Sequence, residues 1–342
     1  MRSTAKLQNF LSVFEIPDFI EPWIDRFFEE IEIELVIRLA DQPLDRNEIN
    51  KTFRSAIKSD SSDANSDFAT RAYRKGIINR RDDGRFEPAD FHARFDKWAM
   101  FEGWQDIPDD IRSQLNAWEL NYYERQHEEQ IAGLKKGQPR ERARIYPEYI
   151  LLQEAEALLD RVTHIYLMPC NCRSMMQKCT QSVYTCLRFE NDRGIGWKIS
   201  KSRAKEIVRT ANKNSLMQSG EVGIAADGTI IGAICNCCAD CCFPHKLAEH
   251  RNAQQLWPLS RYVARYLKDR CTACGRCIKR CSFQAFTFAE KNQAAKPQSR
   301  IIHFNQNLCR GCGVCSTGCP EEAIEMTGIE CKQSLINKIL IG

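Results

Sequence analysis

Residues 271–281 read CTACGRCIKRC and residues 309–320 read CRGCGVCSTGCP. Both runs place cysteines as C-x2-C-x2-C-x3-C, and Pro320 follows the second at once. Three evenly spaced thiols on one short loop, with a fourth just beyond, can surround a polynuclear metal centre. They are an uneconomical way to hold one tetrahedral ion. All 18 cysteines of the 342-residue chain lie between Cys170 and Cys331. The N-terminal stretch MRSTAKLQNFLSVFEIPDF lacks an uninterrupted apolar signal core, so a cytoplasmic, reducing compartment is expected. There, clustered cysteines ligate metals rather than pair as disulfides. No apolar run of the length needed to span a bilayer occurs, so no membrane span is expected.

Over residues 260–327 this pattern resembles the bacterial two-[4Fe–4S] ferredoxin. The resemblance implies that the fourth cysteine of each run ligates the other run's cluster. One [4Fe–4S] set is then Cys271, Cys274, Cys277 and Cys319, and the other is Cys309, Cys312, Cys315 and Cys281. Gly275, Gly311 and Gly313 supply the permissive backbone that such tight loops require. RYVARYL and RIIHFN before the runs, and AFTF and AIEM after them, read as strands. Ser282 stands where the family has proline, which is read as a turn variation. The loop AEKNQAAKPQS (289–299) is expected to protrude.

Nine further cysteines sit in two loops. CNCRSMMQKCTQSVYTC supplies Cys170, Cys172, Cys179 and Cys186, and CNCCADCC supplies Cys235, Cys237, Cys238, Cys241 and Cys242. Each loop follows a predicted strand, THIYLMP or DGTIIGAICNC. Helices are predicted at YILLQEAEALLDRV and at ISKSRAKEIVRTANKNSL, the second capped by Ser200. Two cysteine loops borne by strands of one small α+β domain are expected to meet. Nine thiols serve one or two further iron–sulfur clusters, the alternatives being zinc or thiol redox chemistry. Neighbouring side chains diverge in a strand, so Cys237-Cys238 and Cys241-Cys242 should each reach two different irons or clusters.

Paired cysteines also occur in heterodisulfide-reductase-like domains holding non-cubane clusters, but the glycine that follows the pair there is absent here. The C-x-C-R element, the TCL and CNCC segments and the terminal module together resemble a group of multi-cluster iron–sulfur proteins of anaerobes. His245 reads as a hydrogen-bonded neighbour of the thiols, Arg173 and Trp197 as packing or sulfide partners, and Cys331 as outside the ligand sets.

Upstream, residues 25–40 carry helical periodicity, Asp45 and Glu48 form a capping box, and SDFATRAYRKGIINR reads as a third helix. Asp83-Gly84 marks a tight hairpin. Three helices and a hairpin resemble a winged helix-turn-helix. The aromatics of 91–130 read as core or domain interface. The expected fold is therefore α+β and multidomain. It comprises a helical winged-helix-like docking region (1–132), a linker (133–148), a small cysteine-rich α+β middle domain (149–258), a ferredoxin-like two-[4Fe–4S] domain (259–328) and a tail (329–342).

Residues 161–342 carry 26 Lys+Arg against 13 Asp+Glu, a balance of +13, whereas residues 1–160 carry 23 against 32, a balance of −9. The basic residues Arg173, Lys178, Arg188, Arg276, Lys279, Arg280 and Arg310 interleave with the cysteines, as expected if they offset anionic thiolate-bound clusters. No glycine-rich nucleotide loop and no Ser/His/Asp or paired-carboxylate arrangement stands out, so no catalytic residue is assigned. These features point to a cytoplasmic electron-transfer protein, a subunit or donor working with a redox protein or oxidoreductase complex. One alternative is a reductase with its substrate at a middle-domain cluster. Another is a redox-responsive DNA-binding regulator using Arg71, Arg74, Lys75, Arg80, Arg81 and Arg85, against which the acidic balance of that half argues.

Overall fold

The computed structural model describes residues 4–54, 67–140, 145–289, 301–329, 331 and 334–341. The loop expected to protrude at 289–299 lies outside them from residue 290 onward. The chain divides into two compact units, Met1–Tyr122 with Asp192–Ile195, and Tyr123–Asn191 with Gly196–Gly342.

The first unit opens with α1 (Thr4–Val13), α2 (Ile24–Phe27), α3 (Glu30–Asp41), α4 (Arg46–Thr52) and α5 (Phe68–Lys75). It continues through β1 (Ile78–Arg80), β2 (Phe86–Pro88), α6 (Phe91–Phe101) and the start of α7 (Asp109–Lys135). The single helix expected over 25–40 is in fact two. Phe28 is extended (φ −136°, ψ 137°), and Glu32 accepts the Glu29 N–H at 2.9 Å in a capping box that restarts the helix. Asp45 and Glu48 cap α4 reciprocally. Leu44 bridges Phe86, so a short extended segment flanks the β1–β2 hairpin, whose turn needs Gly84 at φ +83°. Phe91, Phe95 and Trp98 of α6 pack with Phe27 into a buried aromatic core.

The second unit holds β3 (Glu148–Tyr149), α8 (Leu152–Arg161), β4 (Tyr166–Pro169), α9 (Asn171–Met176), β5 (Tyr184–Arg188) and β6 (Trp197–Lys198). Then come α10 (Lys201–Lys213), β7 (Met217–Ile224), β8 (Ile230–Cys237) and α11 (Phe243–His250). The six strands form one antiparallel sheet in the order β3-β7-β8-β5-β4-β6. Leu158 and Leu159 of α8 and Ala204 and Val208 of α10 bury one sheet face, lined by Leu187, Val222 and Ile234. Side chains alternate across a strand, so Cys235 and Cys237 share the opposite face of β8.

The C-terminal elements are β9 (Tyr262–Tyr266), α12 (Arg276–Arg280), β10 (Phe286–Phe288), β11 (Ile302–Phe304), α13 (Val314–Thr317), β12 (Ile324–Gly328) and α14 (Leu335–Ile341). β9 pairs β12 and β10 pairs β11, both antiparallel. The two cysteine runs repeat one backbone path. Gly275 and Gly313 cap α12 and α13 at φ +73° and +72°, and Gln284 and Glu322 follow at +55° and +47°.

Arg261, buried at 2% exposure, ties this region to the sheet. Its guanidinium lies 3.5 Å from Glu148, pairs with Glu154, and hydrogen-bonds Asn337. Glu148 in turn accepts from Ser334 at 2.5 Å and from the Leu335 N–H at 2.9 Å. Removing one partner of such a network strands the other charges in the interior. Arg261→Met is expected to lower the unfolding free energy by about 3–5 kcal/mol, read from denaturant melts followed by circular dichroism. A loss under about 1 kcal/mol would mean that the network contributes little.

Candidate metal centre

The C-terminal thiols form two sets. Cys277 has Cys271, Cys274 and Cys319 as charge neighbours, and those four line one cavity. Cys312 and Cys315 have Cys309 and Cys281. The fourth cysteine of each run thus lies with the three of the other, the juxtaposition that the ferredoxin resemblance implied. Backbone N–H groups face the sulfurs at matching places. Ala285 donates to Cys281 at 3.4 Å and Ala323 to Cys319 at 3.3 Å, with Ala264 to Cys309 and Ala273 to Cys271 besides. Burial and neighbouring sulfurs push Cys277 and Cys312 up to about 12, which disfavours bare thiolates and favours ligation to a metal.

The nine middle-domain thiols also divide, but unequally. Side-chain contacts run Cys170–Cys172–Cys242–Cys237–Cys235–Cys186 and back to Cys170, closing a ring of six. Cys179, Cys238 and Cys241 form a separate trio with all three sulfurs within 4.8 Å of one another. Each adjacent pair therefore sends one thiol to each group. Cys237 ends β8 with its side chain on the sheet face, and Cys238 has already turned away.

Helix α11 starts at the ring, where the Phe243 N–H reaches Cys172 and the His245 N–H reaches Cys242. Donors at a helix start favour thiolate. Arg173, 2% exposed, sits between ring and trio. Its guanidinium donates to the Asn236 carbonyl at 2.8 Å and to Thr185 Oγ1, and it touches the Cys238 thiol. Burial alone would lower its pKa, but charge on Cys170, Cys186 and Cys238 raises it and keeps the cation. No carboxylate among the described residues pairs with it. Buried cations are held by anions, so the sulfurs fill that role.

His245 hydrogen-bonds Tyr149 Oη through Nε2 at 2.8 Å, and burial lowers its pKa to about 4, so it is a neutral neighbour of the thiols. Trp197 is 49% exposed and meets Tyr184 edge-on. Cys331 lies near Arg140, outside both groups.

Two features carry no signal in the sequence. Tyr149 packs in one buried cluster with Cys237, Cys242 and Val314, against which Cys312 of the C-terminal region also rests. A chain of hydrogen bonds also crosses the domain. Arg280 donates to the carbonyls of Val314, Asn212 and Lys213, Asn212 donates to Gln218 at 2.7 Å, Gln218 to Asn236 at 2.9 Å, and Asn236 to the Thr185 carbonyl at 2.6 Å. Asn236, between two cysteines, points to the face they do not use.

Residues 270–323 match the 4Fe-4S dicluster domain family. This region is thus an iron–sulfur cluster-binding domain, and its thiol-only donors, N–H-lined loops and interleaved cations fit that cofactor. No curated protein matches the chain. Among the described residues no helix is long and apolar enough to cross a membrane.

Gly311 and Ala273 occupy equivalent places in the two runs, both at positive φ (+66° and +53°). A Cβ on Gly311 would lie 2.0 Å from the Tyr262 carbonyl oxygen. Gly311→Ala is expected to cost about 1–3 kcal/mol in strain and to lower iron content, whereas Ala273→Gly retains it. Equal iron in both variants would contradict the steric reading.

Proposed function

We propose that this chain is an electron-transfer protein with two ferredoxin-type [4Fe–4S] centres and a further iron–sulfur centre on the six-thiol ring. Cys271, Cys274, Cys277 and Cys319 hold the first, Cys309, Cys312, Cys315 and Cys281 the second, and Cys170, Cys172, Cys186, Cys235, Cys237 and Cys242 the third. Bound clusters supply one-electron chemistry. The observation that carries the proposal is contiguity. Cys277 lies within charge influence of Cys315, and Cys312 shares a packed cluster with Cys237 and Cys242 around Tyr149. Tyr149 and Phe283 pack between these sets, while Arg173 offsets thiolate charge. Such buried positive charge stabilises a reduced, more anionic centre.

The partner in this reading is a redox protein or oxidoreductase complex in the cytoplasm, and the 1–132 region is a docking domain. Its order of helix, bridging residue, two helices and hairpin supports the winged-helix likeness. A DNA-binding role is disfavoured, because Lys75 pairs with Glu29 and Glu32, Arg81 with Asp83 and Glu87, and Arg85 with Asp83.

One observation favours a reductase as the second reading. A cavity of about 220 Å³ beside the Tyr149–His245 pair is lined by Arg310, Phe283 and Trp257. Trp257 Nε1 is buried beside it without a hydrogen-bond partner, and the His245 ring lies against the Cys238 backbone. A cavity of this size with Arg310 on its wall suits a small anionic substrate.

The crossed ligand sets are testable by EPR of the dithionite-reduced protein. Cys281→Ser is expected to alter the centre held by Cys309, Cys312 and Cys315 and to spare the other, and Cys319→Ser to do the reverse. Each variant altering the centre of its own run would contradict the assignment.

A further inference from the structure

We propose that Cys179, Cys238 and Cys241 form a mononuclear, zinc-type site, separate from the ring thiols, whose fourth position is left to a non-protein donor. Cys179 Sγ lies 3.7 Å from Cys238 Sγ and 3.7 Å from Cys241 Sγ. Thiolates bound to one tetrahedral zinc at about 2.3 Å stand about 3.8 Å apart. Ligands of a cubane sit on different irons and are held wider. Accordingly, no trio of the C-terminal thiols lies so close, and among the described residues this is the one group that does.

Each of the three sulfurs also receives a backbone N–H. Gln181 donates to Cys179, Cys241 to Cys238 across a C-x2-C turn, and Lys178 to Cys241. These donors orient thiolates and disperse their charge, as outer-shell partners of metal ligands do. Three thiolates on a divalent ion leave one negative charge, and the buried guanidinium of Arg173 at Cys238 balances it.

No fourth Cys, His, Asp or Glu among the described residues joins the group. Three protein ligands and an open position define a site that takes water or an incoming donor. Cys241 and Cys238 are buried, whereas Cys179 is half-buried on a loop whose Lys178 and Thr180 are exposed, so the open side is the Cys179 side.

The test uses the full chain, purified without oxygen, with zinc and iron measured together by mass spectrometry. About one zinc per chain is expected. In Cys179→Ser and Cys241→Ser zinc should fall at least tenfold, while iron and the EPR signals stay at wild-type levels. Retained iron shows that the variants fold. Iron falling in step with the trio's loss, or zinc unchanged, would overturn the site. A chain lacking iron but holding trio-dependent zinc would overturn the electron-transfer reading and leave this one standing. With cobalt in place of zinc, 2-mercaptoethanol should shift the sulfur-to-cobalt absorption bands. Unmoved bands would overturn the open fourth position.

Discussion

Sulfur crowded into an apolar interior needs a cation. In the six-thiol ring, neighbouring thiols and burial push Cys172, Cys235, Cys237 and Cys242 well above the ordinary thiol range, which disfavours bare thiolates there. Metal binding releases the thiol protons and couples directly to folding. The rest of the second unit serves that constraint. The sheet places Cys186, Cys235 and Cys237 on one face, α11 begins at Cys242, and Arg173 lies where ring and trio meet.

Within the second unit, the ferredoxin-like region is packed against the six-stranded sheet by specific contacts. Arg280, one residue before ligand candidate Cys281, caps the last carbonyls of α10 and leads through Asn212, Gln218 and Asn236 to Arg173. Arg261 locks the other side through Glu148 and Glu154. Tyr149 fills the space between Cys312 and the ring. Apolar packing and hydrogen-bonded polar side chains thus surround the six-thiol ring, which keeps charge interactions there strong.

Much of this was legible in the chain. The repeated spacing marked the two C-terminal loops, and strand alternation separated Cys237 from Cys238. Ser200, Asp45 and Gly84 announced their cap and turn positions. What was not legible depends on distant meetings. The split of nine thiols into six and three requires knowing how residues 170–186 meet residues 235–242, which spacing does not encode. The break at Phe28 was hidden because apolar periodicity continues across it, and only the Glu29–Glu32 capping box marks the restart. Arg173 read as a packing or sulfide partner, but its full burial between ring and trio is a tertiary property that spacing does not encode.

The account's central claim is that the buried sulfur holds iron. Iron and acid-labile sulfide per chain, assayed on oxygen-free protein, test it most directly. The prediction is at least about eight of each, the content of two [4Fe–4S] centres, with additional iron on the six-thiol ring. A well-folded, colourless protein with neither would contradict the account.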